Sequence, residues 1–158
     1  MARRTASNRK SPAPKLAADM AGNYAYRFAG FAVKSNNNHY LAGVGVFSLQ
    51  NDGTLKGRHK ASVMVLSGSM AEVLSADFDI EGSLTLASDK LGSAEITFTY
   101  TGTRTGVKNL TGSFHAVVGG SPNCLWLVSS KAVLLNDNGT PSNVEADELA
   151  SLEAVRMT

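Results

Sequence analysis

The sequence predicts an all-β protein, an antiparallel up-and-down β-barrel of seven to eight strands, with a β-sandwich as the alternative architecture. Three observations support this fold class. Apolar and polar residues alternate over successive short segments, turn-forming residues separate these segments, and glycines recur inside them where a small barrel must bend. A flat sheet of this many strands would leave two unpaired edges, and closure into a barrel removes them.

The composition indicates one globular domain preceded by a different kind of segment. The chain has 158 residues, of which 43% are hydrophobic and 18% charged, enough for a substantial core. Residues 1–15 carry five basic side chains and no acid, and Pro12 and Pro14 keep this segment extended. We therefore expect residues 1–19 to form a disordered basic arm, and residues 20–158 a single barrel domain. The arm suits either a solubilising tail or an anionic partner.

The clearest element is a hairpin around the turn at residues 51–53, Asn-Asp-Gly. A two-residue loop would set Leu49 opposite Lys56 and mix the apolar and charged faces. A three-residue loop with Gly53 in the left-handed conformation sets Leu49 opposite Leu55 instead. We therefore predict the three-residue, bulged form.

Strand-like alternation recurs in seven segments along the chain. They are residues 22–33, 39–49, 54–66, 76–87, 93–101, 110–118 and 124–135. Residues 67–75 are interpreted as a connection that accommodates a helical turn at 70–74. The last segment, 144–157, suits both a helix and a closing strand, and its pattern does not separate the two.

The predicted outer faces differ between strands. Segments 54–66, 76–87 and 93–101 carry charged or threonine-rich outer faces, whereas 22–33, 39–49 and 124–135 are apolar on both faces. The first, second and last strands of an up-and-down barrel are neighbours around the closure. One side of the barrel should therefore be apolar outside, which implies a covering helix or a homo-oligomer interface.

The inward faces supply the candidate ligand site. Its residues are Tyr24, Tyr26, Phe47, His59, Phe78, Phe98, Tyr100 and Phe114. Trp126 is placed with them in the interior. A small barrel either fills its lumen with such side chains or holds one small ligand there, and both interpretations stay open.

The histidines and the cysteine are the residues to weigh for catalysis or metal binding. His59 falls on the inward face and is the one catalytic candidate, against a core histidine as the alternative. His115 falls on the outer face, and His39 lies at a strand end beside three asparagines. None of the three histidines has metal-ligand spacing, and Cys124 has no flanking base, so no metal site or cysteine nucleophile is expected.

Three sequence motifs carry a family resemblance. They are G-x-Y-x-Y-x-F-x-G at residues 22–30, G-x-F-S-L-x-N-D-G-T-L-x-G at 45–57 and F-T-Y-T-G-T at 98–103. With these motifs the chain resembles bacterial allene oxide cyclase-like and lipocalin-like (calycin) barrel proteins over about residues 22–135. The resemblance implies an eight-stranded barrel with a hydrophobic lumen, and oligomers in the cyclase branch. Residue Tyr24 stands where the lipocalin opening has Trp, and no cyclase catalytic residue is carried over.

These features lead to three functional hypotheses. The first is a barrel that binds a hydrophobic small molecule or acts as an oligomeric interaction module, without catalysis of its own. The second is a cofactor-free cyclase or isomerase that uses His59 and a lumen tyrosine as acid and base. The third is a nucleic-acid-binding barrel that uses the basic arm. The sequence has no glycine-rich phosphate loop, secretory signal or membrane-length apolar run, so we expect no cofactor, no membrane partner and a cytoplasmic location.

Overall fold

The computed structural model describes residues 20–34, 37–67, 70–86, 91–103, 107, 109–119, 124–136, 140–146 and 148–158. These residues form nine β-strands. In chain order they are β1 (Gly22–Lys34), β2 (Asn37–Leu49), β3 (Thr54–Ser67), β4 (Met70–Leu86), β5 (Leu91–Tyr100), β6 (Leu110–Val118), β7 (Cys124–Leu135), β8 (Pro141–Ala146) and β9 (Glu148–Arg156). The predicted basic arm, residues 1–19, lies outside the described residues.

The strands close into an eight-stranded antiparallel up-and-down barrel, which confirms the predicted fold class and excludes the sandwich. Neighbours along the chain pair from β1 to β7, and β9 pairs with both β7 and β1. Strands β8 and β9 share the eighth position, because β8 pairs with the last part of β7 and β9 with the first part. The pairs Val128–Ser151 and Ala132–Ala146 differ in register by one residue. The contact of β7 with β8 and β9, here called the seam, is therefore irregular.

The central hairpin has the predicted register. Leu49 pairs with Leu55 and Phe47 with Gly57. Gly53 has a φ of 86°, the left-handed conformation that the bulged loop needs. Asp52 stabilises the turn, since its carboxylate accepts a hydrogen bond from the Thr54 amide at 2.9 Å.

The half of the barrel nearer to this turn is packed solid. The largest fully buried side chains are Tyr24, Leu49, Leu55, Ile96, Leu125, Leu127 and Leu152. Tyr24 also donates a hydrogen bond to the carbonyl of Met20, which is itself buried. Toward the opposite end, inward residues such as Leu41, Val63 and Leu74 are only half-buried. The lumen is therefore more accessible from the end where β1 meets β2 and β3 meets β4.

The structure corrects one predicted element and decides one that the sequence left open, both in favour of a strand. Residues 70–74 are not a helical turn, because β4 begins at Met70 and pairs with β3 up to Ser67. The C-terminal segment is strand rather than helix, because Glu148–Arg156 closes the barrel between β7 and β1. Both segments contain good helix formers, and cross-strand pairing overrides that local preference.

The outer surface has the predicted division into a charged and an apolar side. On β3 and β4, three pairs of outward residues of opposite charge face one another across the strands, and Lys60 lies 3.5 Å from Asp77. Farther along the same two strands, the exposed pair Met64 and Val73 is apolar. On β2, β1, β9 and β7, which are neighbours, many outward residues are large and apolar. Trp126 belongs to this outer group with 40% exposure, so its predicted interior position is wrong. No helix among the described residues is long and apolar enough to cross a bilayer.

Candidate functional site

His59 is the buried polar side chain of the lumen, with 4% of its surface exposed. It lies on the inward face of β3, whose outward face carries Arg58 and Lys60. Gly43 makes room for the imidazole ring from the neighbouring strand, since a Cβ atom at residue 43 would lie 2.4 Å from His59 Cε1. The sequence thus combines an inward histidine on β3 with a glycine on β2, which has no side chain to collide with the ring.

Tyr26 is the hydrogen-bond partner of His59. The Tyr26 hydroxyl lies 2.8 Å from Nδ1 of His59, and both residues are buried. Burial raises the pKa of the Tyr26 hydroxyl far above its ordinary value and lowers the pKa of His59 to about 4. Both groups are therefore neutral at pH 7, and the tautomer of the imidazole decides which of them donates. Where the Tyr26 hydroxyl donates to Nδ1, the proton of the neutral imidazole resides on Nε2.

The second ring nitrogen, Nε2, has no hydrogen-bond partner among the described residues. Every fully buried side-chain nitrogen or oxygen atom of the described residues has a hydrogen-bond partner. Nε2 must therefore border open space, and His59 lines two such spaces, a cavity in the lumen and a larger groove. Nε2 is thus a ring nitrogen that a ligand can reach, and it is a donor in the tautomer in which Tyr26 donates to Nδ1.

Aromatic rings fix the orientation of the imidazole. Phe28 and Phe98 present their edges to it, each with a ring-centroid distance of 5.4 Å and an interplanar angle of 78°. Tyr26 lies parallel to it at 5.7 Å, and Phe78 is tilted at 6.1 Å. Contacts of this kind are favourable beyond the area they bury, so His59 has little freedom to turn.

The cavity beside His59 has a volume of about 60 Å³. Its walls are apolar except at His59 and Ser129, and the wall near the β7–β9 seam consists of small residues. The lining residues are Phe28, Leu41, His59, Ala61, Val63, Phe78, Phe98, Leu110, Gly112, Phe114, Ser129, Ala132 and Ala150. Ser129 accepts a hydrogen bond from the Ala150 amide at 2.7 Å, which closes the wall at the irregular seam.

A larger, open groove of about 860 Å³ lies over β1 to β4, and its lining includes the inward residues Tyr26, His59 and Phe78 as well as outward ones. Val44 and Val46 form one of its sides, and Lys60 and Asp77 form part of the other. Its charged groups are solvent-exposed and already paired across the strands, with Lys60 3.5 Å from Asp77. We regard the lumen cavity as the better candidate site, because its walls are almost entirely apolar and enclose His59.

The structure brings together only part of the predicted site. His59, Phe78, Phe98 and Phe114 line the cavity, and Tyr26 contacts it through His59. Tyr24 and Phe47 stack at 5.1 Å in the packed half and belong to the core. Tyr100 packs against Phe78 at 5.6 Å without lining the cavity. His115 is exposed on the outer face, and the side chain of His39 lies outside the described part of the chain.

Sequence reasoning missed several cavity residues. Phe28 shares the inward face of Tyr24 and Tyr26, so the same alternation identifies it. Ser129 is harder to find, because the register of β7 is irregular and breaks the alternation there. The described residues contain no group of three or more histidine, cysteine, aspartate or glutamate side chains that could hold a metal ion.

Comparison with known proteins adds no relative. No protein-family model, no curated protein and no solved structure matches this chain.

Proposed function

We propose that this barrel binds a small apolar molecule in its lumen, through one hydrogen bond from Nε2 of His59. The observation that carries the proposal is Nε2 of His59, a ring nitrogen without a described partner in a residue that lines an otherwise apolar cavity. A buried donor that stays unpaired costs about 1–3 kcal/mol. A carbonyl or hydroxyl oxygen of a ligand would remove that cost, while the aromatic walls bury its apolar part.

The volume of the cavity limits the part of the ligand that enters it. About 60 Å³ equals the liquid volume of roughly two water molecules. An apolar cavity that binds benzene measures about 150 Å³, so an aromatic ring does not fit here without movement of the walls. The ligand class that fits is therefore an unbranched molecule whose oxygen-bearing end enters first. Its remaining chain would extend toward the end where Leu41 and Val63 are half-buried.

Acid–base catalysis by His59 and Tyr26 is the second candidate, favoured by their 2.8 Å contact. An efficient catalytic acid or base has a pKa near the working pH. Here burial lowers the pKa of His59 to about 4 and moves that of Tyr26 in the opposite direction, away from neutrality. This favours binding over catalysis. A nucleic-acid role through the basic arm depends on residues outside the described part of the chain.

The experiment compares two probes of the cavity by NMR. Xenon fills apolar space and accepts no hydrogen bond, whereas butanone is an unbranched carbon chain whose small acetyl end carries the carbonyl oxygen and can enter the cavity alone. We expect both to shift the signals of cavity residues, and butanone to bind roughly fivefold more weakly to His59→Leu, the loss of one neutral hydrogen bond. Phe78→Leu alters an apolar wall and keeps the imidazole, so it should retain the preference for butanone.

Two results would contradict the proposal. If neither probe shifts a signal from the lumen, the cavity is closed to ligands. If butanone binds equally well to the wild type and to His59→Leu, the donor has no role in recognition. Turnover of a carbonyl compound that depends on both Tyr26 and His59 would favour the catalytic candidate instead.

A further inference from the structure

The second unusual feature lies on the outside of the barrel. The outer face of β2, β1, β9 and β7, here called the apolar wall, exposes large hydrophobic side chains on four neighbouring strands. They include Val44, Val46, Phe31, Leu149, Trp126 and Val128, with exposures from 37% to 66%. Contiguous apolar surface of this kind on a globular protein marks an interaction site.

The charges at the centre of the apolar wall are satisfied within the wall. Arg27 on β1 donates hydrogen bonds to Glu153 on β9, with Nε 2.7 Å and Nη2 2.5 Å from Oε2. Arg27 first, and the neighbouring Trp126 side chain second, hold the pKa of Glu153 below its usual range. These polar groups keep their partners when water is removed, so the wall can be covered without leaving an unpaired charge.

The residues of the central row have an order that complements itself. Across the strands, Val44 pairs with Arg27, Arg27 with Glu153 and Glu153 with Trp126. The row therefore reads apolar, positive, negative, apolar from β2 to β7. When a second copy of the row is reversed and laid over the first, Arg27 lies over Glu153 and Val44 lies over Trp126.

We propose that the apolar wall is a two-fold interface between two copies of this chain. The symmetry axis lies in the interface, parallel to the strands and between β1 and β9. Arg27 of each copy then faces Glu153 of the other, and Val44 of each copy faces Trp126 of the other. An unrelated partner would need to supply this complementary charge order, whereas a second copy has it already.

The first test is the mass of the full chain in solution, by analytical ultracentrifugation over a range of concentrations. We expect a dimer, and a dissociation constant at least about tenfold higher for Val44→Lys, which buries an unpaired charge. Thr99→Lys adds the same charge on the exposed outer face of β5 and should leave the dimer unchanged. Circular dichroism establishes that both variants are folded.

The second test separates contact between copies from contact within one chain. Arg27→Glu places two negative charges at the centre of the wall, and Glu153→Arg places two positive ones. Each variant alone should dissociate at least about tenfold more readily, because like charges meet across the axis. Mixing the two variants should produce a heterodimer in which opposite charges meet, visible by native mass spectrometry.

Three results would overturn the two-fold interface. They are a monomeric full chain at all concentrations, a dimer that Val44→Lys leaves intact, and a mixture of the charge variants without heterodimers. This inference does not depend on ligand binding in the lumen, so the two proposals can fail separately.

Discussion

Mild acid should destabilise this barrel through His59. The imidazole has a pKa of about 4 in the folded protein, lowered by burial, against 6.5 in the unfolded chain. Above pH 6.5 both states are neutral and the histidine adds no pH dependence. Below it, the unfolded chain takes up a proton that the folded protein refuses, so stability falls as the pH drops from 6.5 to about 4.

The size of the effect follows from the difference between the two pKa values. Each pKa unit corresponds to about 1.4 kcal/mol, so the free energy of unfolding should fall by about 3 kcal/mol across this window. Small domains are stable by roughly 5–15 kcal/mol, which makes this loss easy to measure. Asp52 and Glu153 have lowered pKa values, and the stability they contribute is lost only below their unfolded values of 3.8 and 4.5. Among the described groups with a shifted pKa, His59 is therefore the one that changes the stability between pH 4.5 and pH 6.5.

Urea unfolding at a series of pH values measures this slope directly. His59→Gln retains a hydrogen-bonding group near Tyr26 and does not titrate, so its stability should be lower at pH 7 and nearly flat down to about pH 5. His115→Gln removes an exposed histidine and controls for the loss of an imidazole as such. Equal slopes for the wild type and His59→Gln would refute the reasoning.

Three further predictions concern single side chains. Tyr26→Phe leaves Nδ1 of His59 without its partner, and thermal unfolding should show a loss of about 1–3 kcal/mol. Gly57→Ala would put a Cβ 2.0 Å from the Val46 carbonyl oxygen, so we expect severe destabilisation in urea melts; wild-type stability would contradict that backbone contact. Asp52→Ala removes the hydrogen bond to the Thr54 amide, and amide hydrogen exchange at Thr54 should accelerate. Unchanged exchange there would contradict the role of this carboxylate.

The period of the hydrophobic pattern is what made the barrel predictable. Side chains of a strand alternate strictly between its two faces, so the patterns of β3 and β4 indicated which residues point inward. Matching the apolar faces of the two hairpin strands then determined the register of the central hairpin. The same logic placed His59 inward and foresaw an apolar side around the closure. These predictions required only local pattern and the rule that sheet edges must be paired.

The parts that were predicted wrongly or left open depend on contacts between distant segments. Residues 70–74 and the C-terminal segment have helical propensity, and only their partners on β3, β7 and β1 make them strands. Trp126 looked like a core residue because β7 is apolar on both faces, and nothing local says which face is inside. The site was equally hidden, since the bond between Tyr26 and His59 joins residues 33 apart in the chain.

The most direct test of the proposed lumen site is nitrogen NMR of the His59 imidazole, with and without butanone. We expect a neutral ring from pH 7 to near pH 4, with the proton on Nε2, and a shift of the Nε2 signal on addition of butanone. That result would establish a buried donor that meets a ligand. A ring that titrates near pH 6.5, or an Nε2 signal that ignores butanone, would contradict the account.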